Sequence, residues 1–240
     1  MGNTLLKVDK VSKRFGGVQA VGGVSLELKH GEIIGLIGAN GAGKTSFFNL
    51  VSGMHFPDAG RVEFDGDDIT KLDTASRARC GIGRTFQVVR PFKGMTVAEN
   101  VMVPLLVNDA SVKTARKRAA ELLEELSIPG LAHKPAESLT LAQRKRVEVA
   151  RALATGPKLL LLDEVLAGLN SREVIDVLPF VAKVRERGVS ILMIEHLVSA
   201  VMEVSDRILV LDHGVVISEG LPSEVVNDPK VIAAYLGKED

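Results

Sequence analysis

The stretch Gly38-Ala39-Asn40-Gly41-Ala42-Gly43-Lys44-Thr45 constrains this chain more than any other. It fits G-x-x-x-x-G-K-[ST], a phosphate-binding loop set between a strand and a helix. The flanks agree. Ile33-Ile34-Gly35-Leu36-Ile37 is a short apolar run of the kind a buried parallel strand shows. Ser46 to Val51 carries Phe47, Phe48, Leu50 and Val51, as a helix lying on a sheet would. Glycines let the backbone curl so that successive N–H groups face phosphate oxygens, and the helix N-terminus adds its positive dipole end. Gly38, Ala39, Asn40, Gly41, Ala42, Gly43, Lys44, Thr45 and Ser46 are therefore expected to hold a nucleotide. Lys44 should reach its β- and γ-phosphates, and the Thr45 hydroxyl should hold Mg²⁺.

Two other segments point to the same place. Lys158-Leu159-Leu160-Leu161-Leu162-Asp163-Glu164 reads as a strand buried on both faces with two carboxylates at its exit. Ser190 to Ile194 is a second such strand and ends in Glu195-His196. In open parallel sheets ligands bind at the C-terminal strand ends, where the glycine loop, Asp163, Glu164 and His196 all fall. Asp163 can bind Mg²⁺ through water. Glu164, one residue further on, points elsewhere and can polarise an attacking water. His196 either senses the γ-phosphate or is structural.

The remainder supplies context. Thr4 to Asp9, Val24 to Leu28 and Arg61 to Phe64 read as strands of an N-terminal antiparallel sheet. Phe15, between the first two, either stacks on a base or packs on the sheet. Asp73 to Arg79 reads as a helix, and Cys80 to Gln87 as a strand ending in that glutamine. Pro91, Gly94 and Pro104 then interrupt an apolar segment, and Ala115 to Leu126 has the i, i+4, i+7 spacing of an amphipathic helix. Thr140-Leu141-Ala142-Gln143 is a capping box, so a helix should start at Leu141. The cations Arg144, Lys145 and Arg146 in its first turns either pair locally, as Arg144 with Glu148, or face an anion. Arg207 to Leu211 and Val215 to Ser218 read as a closing hairpin, with a helical tail from Pro222. The fold expected is α/β, a core from residues 1–87 and 157–240 with a helical insert over 88–156.

Lys+Arg 30 balances Asp+Glu 30, so no global field draws the chain to nucleic acid. The one cysteine excludes an internal disulfide, and Cys80 reads as a small buried hydrophobe. No signal-peptide core and no apolar run of membrane-spanning length is present. Any membrane association is expected to go through a partner.

From about Leu5 to Gly237 the chain resembles the nucleotide-binding subunits of ATP-binding-cassette (ABC) transporters, members of the P-loop NTPase class. The resemblance makes Gly38 to Thr45 the Walker A loop and Leu159 to Asp163 the Walker B strand. It makes Phe15 the adenine-stacking aromatic, Glu164 the catalytic glutamate, Gln87 the Q-loop and His196 the switch histidine. It implies that ATP and Mg²⁺ are the cofactors, with Lys44, Gln87, Glu164 and His196 catalytic and Thr45, Gln87 and Asp163 around the metal. Ala167 to Asn170 resembles the D-loop. Leu139 to Gln143 occupies the signature position, which implies that Thr140, Ala142 and Gln143 meet ATP bound to another subunit. The usual segment is Leu-Ser-Gly-Gly-Gln; Leu141 and Ala142 replace the glycines. Their side chains narrow the approach, so weaker ATP-driven dimerisation is expected. Val165 stands where the family usually has proline.

Within the family, Lys13 to Gly17, Arg84 to Gln87, Met95 to Val101, Ile194 to His196 and Val231 to Gly237 resemble the ATPases of branched-chain amino acid importers. That implies permease partners, a second cassette, a periplasmic solute-binding protein acting indirectly, and a place on the cytoplasmic face of the inner membrane. Short amides and carboxylates are alternative solutes. Val88, Val89, Phe92 and Met95 either line a groove for a permease or belong to the helical core. The alternative function is a soluble ABC clamp without a permease. A small-molecule kinase or a GTPase leaves the Thr140 segment without a role.

Overall fold

A computed structural model describes residues 4–86, 90–107 and 111–236. The chain opens with a long hairpin, β1 (Thr4–Phe15) and β2 (Val18–Lys29). Both strands run well past the expected Thr4 to Asp9 and Val24 to Leu28. Register shifts between Val8 and Val11, and again before Ser12, break the period-two pattern that would reveal them. Lys10 takes a positive φ of 47° in that bulge. Arg14 and Phe15 therefore end a strand, and only Gly16-Gly17 forms the turn. Asp58 pins the hairpin by accepting from Lys13 Nζ at 2.7 Å and from the Arg14 N–H at 2.8 Å.

β3 (Ile33–Ile37) then enters the core and leads through the glycine loop into α1 (Lys44–Ser52). β4 (Ala59–Phe64) and β5 (Asp67–Asp68) return to the first sheet, ordered β2-β1-β4-β5. After α2 (Thr74–Cys80) comes β6 (Ile82–Arg84) at the edge of the core sheet. The helices α3 (Val97–Val107), α4 (Val112–Glu125) and α5 (Leu141–Leu153) follow. Next come β7 (Leu159–Asp163), α6 (Ser171–Glu186), β8 (Ser190–Ile194) and α7 (Val198–Val204). The hairpin β9 (Arg207–Asp212) and β10 (Val215–Gly220) closes the core sheet, and α8 (Pro222–Val225) and α9 (Pro229–Leu236) form the tail. The core sheet is ordered β10-β9-β3-β8-β7-β6 and is parallel except for β10.

The leucine run of β7 explains how the layers stack. Leu160 and Leu162 join Ile191 and Met193 in a core shared with α4, α5 and α6. Leu159 and Leu161 join Leu192 and Ile194 in a core shared with α1 and the antiparallel sheet. Alternate side chains thus bury both faces of one strand, and its C-terminal end is fixed between two cores. Pro104 does not break the chain as its type suggests. It lies inside α3, held by buried Val101, Met102 and Leu105, so packing overrides a local breaker.

Cys80 is exposed, contrary to expectation. α2 buries Arg77 instead. Its guanidinium donates to the carbonyls of Leu50, Val51, Thr70 and Leu72 at 2.5 to 3.0 Å. Two of those carbonyls end α1, so the negative end of that helix helps to offset the buried charge. Burial still brings Arg77 down to about 10, with Asp68 opposing. Arg77→Ala strands four acceptors and should cost about 3 kcal/mol. Urea denaturation measures this, and a loss under about 1 kcal/mol would show that water replaces the guanidinium at little cost.

Candidate nucleotide-binding site

The glycine loop passes so close to neighbouring backbone that Gly38 and Gly43 have no room for a side chain. A Cβ on Gly38 (φ 153°) would meet the Leu211 carbonyl oxygen at 2.2 Å, and one on Gly43 (φ 98°) would meet that of Ala20 at 2.3 Å. The Gly214 N–H donates to the Ala42 carbonyl at 2.9 Å, tying the β9–β10 turn to the loop. Lys44 is buried, and its Nζ donates to the carbonyls of Gly38 at 2.6 Å and Ala39 at 2.9 Å. Burial lowers its pKa, and the Glu164 charge opposes this. The loop is therefore closed around its own ammonium group.

Adjacent carboxylates at the end of β7 face different spaces. Glu164 lines an open cavity of about 330 Å³ with residues 40–46, His196 and His213. Its Oε1 lies 2.8 Å from His196 Nε2. Its backbone is left-handed at φ 50°, and its N–H donates to the Ile194 carbonyl at 3.0 Å. Asp163 lines a second cavity of about 640 Å³ that Thr45 also borders. There Arg84 donates to Asp163 Oδ2 at 2.7 Å. Thr45 borders both cavities, between the two carboxylates. An exposed hydroxyl and a carboxylate opening onto one space suit a hard divalent cation.

The remaining expected residues fall as follows. Gly38 and Ala39 contribute carbonyls to Lys44 rather than lining the cavity. Phe15 is 43% exposed at the hairpin tip, edge-on to His55 at 5.2 Å; Val18, Gln19 and Ala20 are the hairpin residues that line the cavity. Gln87 lies outside the described residues, as do Val88 and Val89.

Thr140, Ala142 and Gln143 are not among the residues lining this chain's own loop cavity. Thr140 caps α5, its Oγ1 accepting from the Gln143 N–H at 3.3 Å, while Gln143 Oε1 accepts from the Thr140 N–H at 3.1 Å. Leu141 covers Gly168, where an added Cβ would lie 3.1 Å from its Cδ2. The suggested Arg144–Glu148 pair is not made. Arg144 folds back to the carbonyls of Leu139 (2.9 Å) and Glu137 (3.2 Å), and Arg151 takes Glu148 at 2.9 Å. Both carbonyls belong to the segment that precedes α5 and are within reach of a first-turn side chain, so the guanidinium ties the helix to its own entry loop.

Sequence reasoning missed Gln19, Arg84, Lys145, Glu195 and His213. His213 was legible only as a turn residue. Lys145, expected either to pair locally or to face an anion, is buried, with Nζ donating to the Glu164 carbonyl at 2.8 Å.

A family model described as "ABC transporter" matches residues 21–167, and one described as "Branched-chain amino acid ATP-binding cassette transporter" matches residues 215–240. The chain is 39% identical to the high-affinity branched-chain amino acid transport ATP-binding protein BraF of Pseudomonas aeruginosa, covering 99% of this chain and 100% of that one. It is 37% identical to the lipopolysaccharide export system ATP-binding protein LptB of Haemophilus influenzae, over 98% of each. Among solved structures, an ATP-binding cassette of an ABC transporter in its ADP conformation superposes with a TM-score of 0.89 at 32% identity, covering 98% of this chain and all of the other.

Proposed function

The chain belongs to the ABC transporter family of ATP-binding subunits, and from that premise we propose that it powers an importer of branched-chain amino acids or a related small solute through partner permeases. The observation that carries the choice of solute class is the C-terminal match over residues 215–240, joined to full-length similarity to a branched-chain amino acid transport subunit.

Two cassettes sandwich ATP, each nucleotide lying between the glycine loop of one and the Thr140 segment of the other. α3, α4 and α5 form the helical part that carries this segment. Backbone N–H groups of residues 40–46 and Lys44 hold the phosphates, and Phe15 offers its exposed ring to the base. Thr45 and Asp163, joined by Gln87 from outside the described residues, would hold Mg²⁺, and the ion would neutralise phosphate charge. For that, Asp163 shares its carboxylate with Arg84 or gives up the pair. Glu164 takes a proton from the attacking water at Oε, and His196 holds the carboxylate from the other side. Positioning and charge neutralisation do most of this work.

A permease would seat beside Asp163. The groove there carries both signs: Met54 and Phe86 share it with Arg84 and Arg151, paired with Asp163 and Glu148, and with Arg90. Phe92 stands under the Arg151 guanidinium at 4.6 Å from its carbon, and Met95 is half-buried. Among the described residues no helix is long and apolar enough to cross a membrane. The importer reading places the chain peripherally, on the cytoplasmic face, with the solute bound by a separate periplasmic protein.

Affinity purification of the tagged chain from detergent-solubilised host membranes tests this. Two polytopic permeases and a second cassette are expected among the co-purifying proteins identified by mass spectrometry. Recovery of soluble proteins alone, with ATPase activity intact, would favour a soluble clamp. Recovery of lipopolysaccharide-export components would replace the import reading.

A further inference from the structure

Two buried charged groups stand directly behind Glu164 and take no part in the reaction outlined above. Glu195, at the exit of β8, and Lys145, on α5, are 2% and 3% exposed. Lys145 Nζ donates to the Glu164 carbonyl at 2.8 Å. Glu195 Oε1 accepts from the Leu166 N–H at 2.9 Å, and its carboxylate also accepts from the Val165 N–H. The Glu164 N–H is already taken by the Ile194 carbonyl. The Glu164 N–H and carbonyl and the N–H groups of Val165 and Leu166 are thus held from two sides, the end of β8 and α5.

The grip falls on a backbone that needs one. Glu164 is left-handed at φ 50°, a conformation that a non-glycine residue keeps only when its surroundings over-determine it. If the peptide turned, the Glu164 carboxylate would leave His196 and the loop cavity. Charge offsets part of the cost of burying the two groups. Lys145 faces the carboxylates of Glu195, Glu164, Asp163 and Glu148, which oppose the lowering of its pKa by burial. Glu195 faces Lys145 and Glu164; burial pushes its carboxyl up to about 7, against the two N–H donors and Lys145.

We propose that Glu195 and Lys145 are positioning residues that hold Glu164 in its left-handed conformation, and that Lys145 ties this conformation to α5, the helix that begins at the Thr140 segment. A shift of α5 relative to β7 then bears directly on the Glu164 peptide. The proposal rests on Glu164 being the base.

Steady-state ATPase kinetics and equilibrium ATP binding of the full chain test it. Glu195→Ala and Lys145→Met should each lower kcat on the order of 10–100-fold, the loss expected of a base displaced by about 1 Å. KM and the ATP Kd should stay within about twofold. The double variant should lose less than the product of the two, because both act on one peptide segment. Glu195→Gln and Lys145→Arg keep an acceptor and a donor and should recover most of the rate. Values of kcat near the parent's in both variants, or kcat and ATP affinity falling together, would overturn the proposal. Glu164→Gln is measured alongside. If it leaves turnover unchanged, the base assignment fails and the proposal with it. If it abolishes turnover while Glu195→Ala and Lys145→Met do not, only the positioning roles fall.

Discussion

Glu164→Gln should leave ATP binding close to normal and reduce turnover on the order of 10²–10⁴-fold, the usual contribution of a positioned general base. Glutamine has the same shape, and its amide can keep a hydrogen bond to His196 Nε2, which lies 2.8 Å from Glu164 Oε1. It cannot take a proton from water. The grip of Ile194 and Lys145 on the backbone does not depend on the side chain, so the left-handed turn should survive. On the proposed reading ATP lies against residues 40–46, which line the same cavity as Glu164, and its phosphates would be relieved of a nearby carboxylate. Binding should therefore hold steady or tighten. Single-turnover hydrolysis beside an equilibrium nucleotide titration separates the two quantities. Turnover unchanged in this variant would remove Glu164 as the base and leave water positioning to His196 alone.

What could be read beforehand divides along physical lines. β3, β7 and β8 were visible because a strand buried on both faces must be a short apolar run; Ile33–Ile37 and Ser190–Ile194 fall where expected. The start of α5 was visible because its cap is local chemistry, Thr140 with Gln143. The same logic was available for α6, where Asn170 and Glu173 form a capping box, but Asn170 drew attention only as part of a loop motif. The lengths of β1 and β2 were hidden because bulges reset the alternation. Long-range packing hid the rest. Arg144-Lys145-Arg146 looks like a solvated basic turn, and nothing local says that its middle member is buried behind the end of β7. Glu195 was similarly mute beside His196, since the donors that hold it, Val165 and Leu166, are peptide groups about thirty residues away in sequence. The sequence marks the groups that line the loop cavity more readily than the buried ones behind them.

Lys44→Ala should weaken ATP binding on the order of 10²–10³-fold. Truncating one member of a buried, hydrogen-bonded charge pair costs about 2–5 kcal/mol, and each 1.4 kcal/mol or so is a factor of ten. Two effects act together. The phosphates lose the one lysine among the residues that line the cavity, and the loop loses the internal tie to the Gly38 and Ala39 carbonyls. The second effect also lowers the stability of the nucleotide-free chain, by about 1–3 kcal/mol for acceptors left unpaired. Lys44→Arg distinguishes them. It restores a positive charge, but a planar guanidinium is a poor match for a slot that fits an ammonium between two carbonyls. Its affinity should fall between that of Lys44→Ala and the parent, with the loop still loosened. A titration with a fluorescent ATP analogue reads the affinity, and thermal unfolding without nucleotide reads the loop. Should Lys44→Ala bind ATP within about threefold of the parent, the backbone N–H groups of the loop would hold the phosphates unaided, and Lys44 would be left with a purely structural role between Gly38 and Ala39.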